Sequence, residues 1–197
     1  MRRFMAVSTA LAAAVFILST AEVGSAAITS AAKLQSEALT IGQMPAGWRV
    51  ANSSGDSGVG CLANLLEPKG VTQIHNAQVY YLGSGGLPLF DEKLATYPSP
   101  SAAYKKIAAT IASCRIVKGA FKGYPVTGTV APMSFSHYGN ASVAYAMSLT
   151  SVHITVKYDY LIVRKGNVVL GILEGNIPSV SVSQFRGLVV KALAKIK

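Results

Sequence analysis

Carboxylates are scarce in this chain. It contains 8 Asp and Glu against 18 Lys and Arg among 197 residues, and its formal net charge is +10. Glycosidases use two carboxylates held at a defined separation across the bond that they cleave. Asp91 and Glu92 are adjacent in sequence, a spacing that does not suit two carboxylates acting on either side of one bond. The carboxylates therefore argue against a glycosidase.

The chain also lacks the motifs of common enzymes. His75, His137 and His153 each fall in a predicted strand with no carboxylate at a short spacing, and no Gly-x-Ser-x-Gly elbow marks a serine nucleophile. The glycine-rich segment 52–60 lacks the Gly-Lys-Ser/Thr ending of a phosphate loop. We predict a protein that is not an enzyme and needs no metal or cofactor. A hydrolase that uses one of these histidines is the third alternative.

Cysteine is limited to Cys61 and Cys114. There is no Cys-x-x-Cys redox motif, and neither cysteine has the neighbouring ligands that a zinc site requires. An even count in an exported chain predicts a disulfide. The two cysteines are 53 positions apart in the chain. Closing a loop of that size stabilises a fold by about 4 kcal/mol in the chain-entropy model, so we interpret the bridge as structural.

Long hydrophobic runs are absent, and the run at the N-terminus is short. Met1-Arg2-Arg3 is followed by the nine apolar residues Ala10 to Leu18 and by Gly24-Ser25-Ala26. This order is typical of a secretory signal peptide, whereas a membrane span needs roughly 20 apolar residues. We predict a signal peptide over residues 1–26, with a retained anchor as the alternative, and a secreted domain over residues 27–197. No cysteine follows the run to carry a lipid, so the expected location is extracellular or in the cell envelope.

The positive charge predicts the class of partner. Loss of Arg2, Arg3 and Glu22 with the leader lowers the net charge by one, to +9. Such a protein is attracted to anionic surfaces such as phospholipid head groups, acidic wall polymers or acidic proteins. Nucleic acid is not predicted, because the lysines are spread along the chain and do not cluster with aromatic residues. The alternative is that the charge only maintains solubility.

The periodicity predicts an α+β domain, with an antiparallel sheet of five to six strands and helices packed on one face. Trp48, after a Pro-x-Gly turn, is expected to fold onto the core. Predicted helices cover residues 28–39, a short piece at 91–94, a segment that begins at Ser99 and one that begins at Ser181 with Gln184 in a capping box. Predicted strands cover 71–82, 126–137, 141–149, 152–163 and 168–173.

The polar, solvent-facing side of this sheet is the predicted ligand site. Its aromatic and polar side chains could line a cleft that offers stacking surfaces and hydrogen-bonding groups. The candidates are Tyr80, Tyr81, His137, Tyr138, His153, Lys157 and Asp159. The alternative is an ordinary exposed sheet face.

The order of elements resembles a known family. The chain has a Leu-x-x-x-x-Met-Pro-x-Gly-Trp opening, a cysteine after a glycine-rich loop, a Ser-Pro-started helix that ends in cysteine, the strand sequence Val163-Arg164-Lys165-Gly166-Asn167 and a closing amphipathic helix. From about Leu39 to Lys197 it resembles the extracellular sensor domain of mycobacterial PknH-type serine/threonine kinases and related actinobacterial secreted proteins and lipoproteins. The resemblance implies an antiparallel sheet with helices on one side, a cleft for an unidentified ligand, and one bridge where the kinase sensor has two.

These observations lead to two hypotheses about the function of the protein. The leading one is an exported, disulfide-stabilised binding module that captures a small molecule, lipid or wall fragment in a cleft over the sheet. The alternative is a basic interaction protein that docks on an acidic surface or partner through the last helix. The basic residues of that helix are Arg186, Lys191, Lys195 and Lys197.

Overall fold

The computed structural model describes residues 30–52 and 58–197. The predicted signal peptide, residues 1–26, lies outside these ranges. The described helices are α1 (Ala31–Glu37), α2 (Pro100–Ser113) and α3 (Val182–Lys195), and short 3₁₀ helices cover Ile41–Gln43 and Gly60–Leu62. The strands are β1 (Arg49–Val50), β2 (His75–Leu82), β3 (Leu89–Thr96), β4 (Ile116–Phe121), β5 (Tyr124–Met133), β6 (Ala141–Ser151), β7 (Ile154–Lys165) and β8 (Val168–Asn176).

All the described strands form one antiparallel sheet in the order β1-β2-β3-β8-β7-β6-β5-β4. The strands β4 to β8 follow one another as hairpins, and β3 joins β1 and β2 to them by pairing along nearly all of β8, from Leu89↔Gly175 to Thr96↔Val168. Because consecutive antiparallel strands reverse direction, the β4–β5 and β6–β7 turns lie at the same end of the sheet.

Side chains alternate between the two faces of each strand, and two apolar clusters lie on opposite faces. Leu161 and Val163 of β7 belong to the cluster beneath α1 and α3, whereas Tyr160 and Ile162 belong to the cluster beneath α2. We call these the α1–α3 face and the α2 face. The sheet is therefore the middle layer of the fold.

The α1–α3 face is closed by both of its helices. Phe185, Leu188 and Val189 of α3 and Leu34 of α1 are almost fully buried against Leu170 and its neighbours. Ser30 caps α1 by accepting from the Lys33 amide at 3.2 Å, and Ser181 caps α3 by accepting from the Gln184 amide at 3.4 Å. Trp48 is half-buried against this cluster, as predicted.

The α2 face is covered by fewer elements. Ile107 and Ile111 of α2 are fully buried, and the Tyr145 hydroxyl donates to the Ala108 carbonyl at 3.1 Å. The predicted Cys61–Cys114 disulfide joins the 3₁₀ helix Gly60–Leu62 to the end of α2, with a Cα–Cα distance of 5.7 Å and a sequence separation of 53. The segment 58–66 is thereby held over the sheet beside α2.

The α+β class with an antiparallel sheet and packed helices is confirmed, with four differences in detail. The helices α1 and α3 share one face, as predicted, whereas α2 packs on the other face, where it covers the opposite set of strand side chains. The described residues form eight strands, more than the five to six predicted. Residues 91–94 belong to β3 and not to a short helix, because tertiary pairing with β2 and β8 outweighs local helix propensity. The capping box at α3 is only half made, since the Gln184 side chain donates to Glu174 at 2.6 Å.

Candidate functional site

A groove of about 730 Å³ lies on the α2 face, between segment 58–66 and the end of the sheet that carries the β4–β5 and β6–β7 turns. It exists because α2 is short. Its 14 residues span about 21 Å, whereas β6 and β7, with 11 and 12 residues, extend about 37 and 40 Å. The groove is lined mainly by apolar side chains, which include Val59, Leu62, Leu65, Leu66, Phe121, Tyr124, Val126, Met147, Leu149, Val152, Ile154, Val156, Tyr158, Tyr160 and Leu173.

One wall of the groove is segment 58–66, and it packs closely on β4. Gly60 has a φ of +58°, and a Cβ at this position would collide with the Lys118 carbonyl oxygen. Leu62 and Leu66 are buried, and the Leu66 carbonyl accepts from the Tyr97 hydroxyl. With the disulfide at Cys61, these contacts fix the wall on the sheet and keep the groove from collapsing.

The floor of the groove is formed by two tyrosine rings that lie across β8. A Cβ at Gly171 would be 2.7 Å from the Tyr160 hydroxyl oxygen, and one at Gly175 would be 2.5 Å from the Tyr158 ring. The two glycines thus provide the space that the rings occupy. Burial raises the pKa of Tyr158 to about 12 and also raises the pKa of Tyr160, because an apolar environment disfavours the phenolate. The floor is uncharged at physiological pH.

The polar edge of the groove comes from β2 and β3. The Gln78 side-chain amide donates to both Asp91 carboxylate oxygens, at 2.9 and 3.1 Å, and Gln78 pairs with Lys93 across the strands. Burial raises the pKa of Asp91, while the Gln78 hydrogen bond and the charge of Lys93 act in the opposite direction. The edge offers a carboxylate, an amide and an ammonium group beside an apolar floor. This arrangement suits a ligand with an apolar body and a small polar end.

The same strands are polar on the opposite face where no helix covers them. Thr127 and Thr129 of β5 are exposed there. Thr150 and Thr155 share a hydrogen bond of 2.7 Å, and Lys157 donates to the Ser148 hydroxyl at 2.9 Å. The uncovered surface is therefore apolar on one face of these strands and polar on the other.

This architecture has a solved counterpart. The fold is similar to the extracellular domain of PknH from Mycobacterium tuberculosis. The crystal structure of that domain superimposes with a TM-score of 0.64 at 11% sequence identity, over 84% of this chain and 95% of the other. At that identity the likeness concerns the fold alone. No protein-family model and no curated protein sequence matches the chain.

The residues predicted to bind a ligand are dispersed. Tyr80 lies on the α2 face and pairs with Asp91 across the strands, near the polar edge. Tyr81, its neighbour, points to the other face, is 3% exposed and donates to the Leu39 carbonyl at 2.7 Å. Asp159 and Lys157 share that opposite face, and Asp159 is buried. Side-chain alternation sends the two adjacent tyrosines to opposite faces, and both border a second depression beside β1 and β2 that is separate from the groove.

The predicted histidines also lie apart. His153 is exposed in the β6–β7 turn, between the groove residues Val152 and Ile154. His137 and Tyr138 belong to the β5–β6 connection at the other end of the sheet, where Tyr138 packs against the α1–α3 cluster. Of the predicted set, only Tyr80 and His153 lie near the groove. The groove lies on the apolar face of the sheet, whereas the predicted ligand site is on the polar face.

The groove residues outside the predicted ligand site share a recognisable sequence pattern. The alternation of apolar residues along β6 and β7 places Met147, Leu149, Val156 and Tyr158 on the apolar side of the sheet. The apolar stripe is longer than one 14-residue helix can cover. The groove lies where the apolar surface of the strands extends beyond the helix that covers it.

The basic residues of α3 make contacts within the protein. Lys191 donates to the Gln43 carbonyl at 2.9 Å, and Lys195 donates to the Ala38 carbonyl. The Arg186 guanidinium lies 5.6 Å from the centre of the Phe135 ring. These contacts tie α3 to the segment after α1 and to the β5–β6 connection. Replacing Lys191 and Lys195 would therefore disturb packing as well as surface charge.

Two further properties concern the described part of the chain only. None of the helices in it combines the length and the hydrophobicity that a bilayer span requires. Nowhere in residues 30–52 and 58–197 do three or more His, Cys, Asp or Glu side chains gather closely enough to hold a metal ion.

Proposed function

We propose that this protein is an exported, disulfide-stabilised binding module of the cell envelope that takes a small molecule, lipid or wall fragment with an apolar body into the groove of the α2 face. The observation that carries the proposal is the groove itself. It is concave, apolar along its floor, and bordered by a few polar groups at one edge.

The size and chemistry of the groove fit this role. Small-molecule sites typically have volumes of about 300 to 1,000 Å³ and are mostly apolar with a few oriented polar groups, and the groove has about 730 Å³. Each Å² of apolar surface removed from water contributes about 25 cal/mol. An elongated apolar ligand would therefore gain most of its affinity on the floor, and Gln78, Asp91 and Lys93 would orient its polar end.

Two observations support export. The chain contains a disulfide between its two cysteines, and such bonds persist in oxidising compartments. The fold is similar to a domain whose structure was determined as an extracellular domain. Both are compatible with the signal peptide that the first 26 residues predict.

Native mass spectrometry of the protein secreted by its own host is the first test. A discrete, releasable mass above that of the denatured chain would support the proposal and give the class of ligand. Thermal shift with envelope lipid extract is the second readout, since a ligand at 100 times its dissociation constant adds about 2.7 kcal/mol. Equal native and denatured masses together with no thermal shift would refute it.

A matched pair of variants locates the binding. Val156→Trp would fill the groove, because Val156 is half-buried and lines it. Thr127→Trp places the same ring on the exposed polar face of the sheet. We expect V156W to weaken ligand binding by at least about tenfold through loss of apolar contact area, and T127W to bind normally. Equal binding by both variants would place the ligand elsewhere.

A further inference from the structure

We propose that the turns of the β4–β5 and β6–β7 hairpins dock on the surface of an anionic phospholipid bilayer. We call residues 121–124 and 151–154 the hairpin tips. This proposal rests on the tips themselves and does not require the groove to hold a ligand.

The two tips form one exposed apolar surface. The Ser151 hydroxyl donates to the Pro125 carbonyl at 3.0 Å, which joins the β6–β7 turn to the base of the β4–β5 turn. Large apolar side chains of both tips are exposed, with Phe121 at 41%, Tyr124 at 60%, Val152 at 62% and Ile154 at 59%. Four such side chains at two adjacent turns are more than folding requires, because a turn is usually made of small polar residues.

The backbone of the β6–β7 turn strengthens this point. Val152 has a φ of +47° and His153 a φ of +67°. Two-residue turns with positive φ favour Asn and Gly, and a β-branched residue in this region is strained. Val152 gains little burial in exchange, since it is mostly exposed. An apolar residue that costs stability and contacts little of the protein is suited to contact something outside it.

The charge around the tips complements an anionic surface. All charged residues of β4, β5, β6 and their turns are lysines, namely Lys118 and Lys122. Lys118 and Lys122 are exposed on β4 and its turn, and the Lys122 ammonium lies 5.5 Å from the centre of the Phe121 ring. Anionic head groups attract lysines near the membrane surface. Aromatic rings and lysine side chains with apolar stems are suited to the boundary between head groups and acyl chains.

The tips also border the groove. Phe121, Tyr124, Val152 and Ile154 all line it, so the apolar floor is continuous with the surface that would enter the bilayer. This continuity favours a bilayer over a soluble acidic polymer, which would bind the lysines and leave the four apolar side chains in water.

Vesicle flotation tests the proposal with the intact folded protein. Vesicles of phosphatidylglycerol and phosphatidylcholine in equal parts are compared with phosphatidylcholine alone, at low and high salt. We expect the protein to float with the anionic vesicles. We expect the double variant Lys118→Gln, Lys122→Gln to float less and with a weaker salt dependence, because exposed charges are screened by salt.

Val152→Asn is the decisive variant, because its effects on stability and binding have opposite signs. Asn suits a positive φ, so the melting temperature should stay equal or rise. Loss of the apolar contact between Val152 and the bilayer should weaken vesicle binding by about tenfold. Val190→Asn is the control, since Val190 is 53% exposed on α3, and it should bind like the wild type.

A depth measurement separates insertion from simple adsorption. In Tyr124→Trp, the fluorescence of the introduced tryptophan should be quenched by vesicles that carry brominated acyl chains. The proposal is overturned if the wild type does not float with anionic vesicles, or if V152N floats as well as V190N. It is also overturned if the tryptophan introduced at position 124 is not quenched, or if sedimentation shows that the tips are buried in a dimer of this chain.

Discussion

The two faces of the sheet share the same strands and differ in how much of each is covered by other elements. On the α1–α3 face, two helices and the β5–β6 connection cover the apolar side chains, and Phe185, Leu170 and Ile172 are completely buried. On the α2 face, one helix and the disulfide-linked segment 58–66 cover only part of the apolar stripe. Where the helices end, the first face becomes polar, and the second stays apolar.

This difference distinguishes a face that stabilises the fold from a face on which we propose that a ligand binds. A face that needs only to be soluble beyond its helices can carry threonine, serine and lysine, as β5 to β7 do on the α1–α3 side. Apolar side chains without a covering helix contribute less to folding, because part of their surface stays in contact with water. Their presence on the α2 face is the basis of the proposal that a ligand covers this surface.

Removal of the Cys61–Cys114 disulfide, which holds segment 58–66 on the α2 face, should have the largest effect on stability. Replacing Cys61 and Cys114 together by Ala removes a cross-link over 53 positions, and the chain-entropy model gives a loss of about 4 kcal/mol. Because segment 58–66 is a wall of the groove, ligand binding should fall as well. Denaturant unfolding and ligand titration measure the two losses. Wild-type stability in the double variant would show that the wall is held by packing alone.

A matched pair of leucines compares the faces directly. Leu170→Ala would leave a cavity in the closed α1–α3 cluster and should cost about 3 kcal/mol, whereas Leu149→Ala in the half-open groove should cost about 1 kcal/mol or less. Leu170 is 0% exposed and Leu149 lines the groove. Chemical denaturation measures both free energies of unfolding. Similar losses for the two variants would mean that the groove closes on itself in solution.

Buried carboxylates provide the next comparison. Glu92 is 0% exposed on the α1–α3 face, and its carboxylate accepts from the Leu39 amide at 2.7 Å. Burial raises the pKa of Glu92 from 4.5 to about 7, with the Leu39 hydrogen bond and Lys195 opposing the change. Burial likewise raises the pKa of Glu174 to about 7. In both cases the folded state holds a proton that the unfolded state releases.

The sign of the pH dependence follows from these raised values. Stability should be greatest below about pH 4.5 as far as these groups are concerned, and should decrease as pH rises from 4.5 to about 7. Glu92→Gln should remove part of this slope and raise the free energy of unfolding at pH 8 by at most about 3 kcal/mol, since the pKa rises from 4.5 to about 7 and one pKa unit corresponds to about 1.4 kcal/mol.

Asp91→Asn, on the groove side of the same strand, is the control for that measurement. Asp91 is less buried than Glu92 and is hydrogen-bonded to Gln78, so its variant should change the slope less. Urea unfolding at a series of pH values gives both slopes. An unchanged slope in E92Q would show that Glu92 stays ionised in the folded protein.

Much of the fold followed from local patterns. The α2 stripe of Ile107, Ile111 and Cys114, the alternation along β6 and β7 and the Ser181 cap all depend on residues close together in the chain, where spacing alone determines which side chains share a face. The disulfide was predictable because two cysteines leave one possible pairing. The strands β1, β3 and β4 were not predicted, and β3 is a strand only because it pairs with β2 and β8.

The candidate site was harder to predict, for a reason of shape. Tyr80 and Tyr81 are adjacent in sequence, and the pleat sends them to opposite faces. Tyr158 and Tyr160 have the alternation of ordinary core residues, and only Gly171 and Gly175 on the neighbouring strand make room for them to form a floor. No spacing within one segment records that relation.

The sequence by itself determined the α+β class, the periodicity of its main helices and strands, the excess of positive charge and the pairing of its cysteines. These follow from side-chain periods of about two and 3.6 residues and from composition. Only the tertiary structure decided that α1 and α3 share one face, that α2 leaves part of the other uncovered, and that two distant turns meet beside the groove. Those outcomes depend on which strands pair and on how far one helix can reach across them.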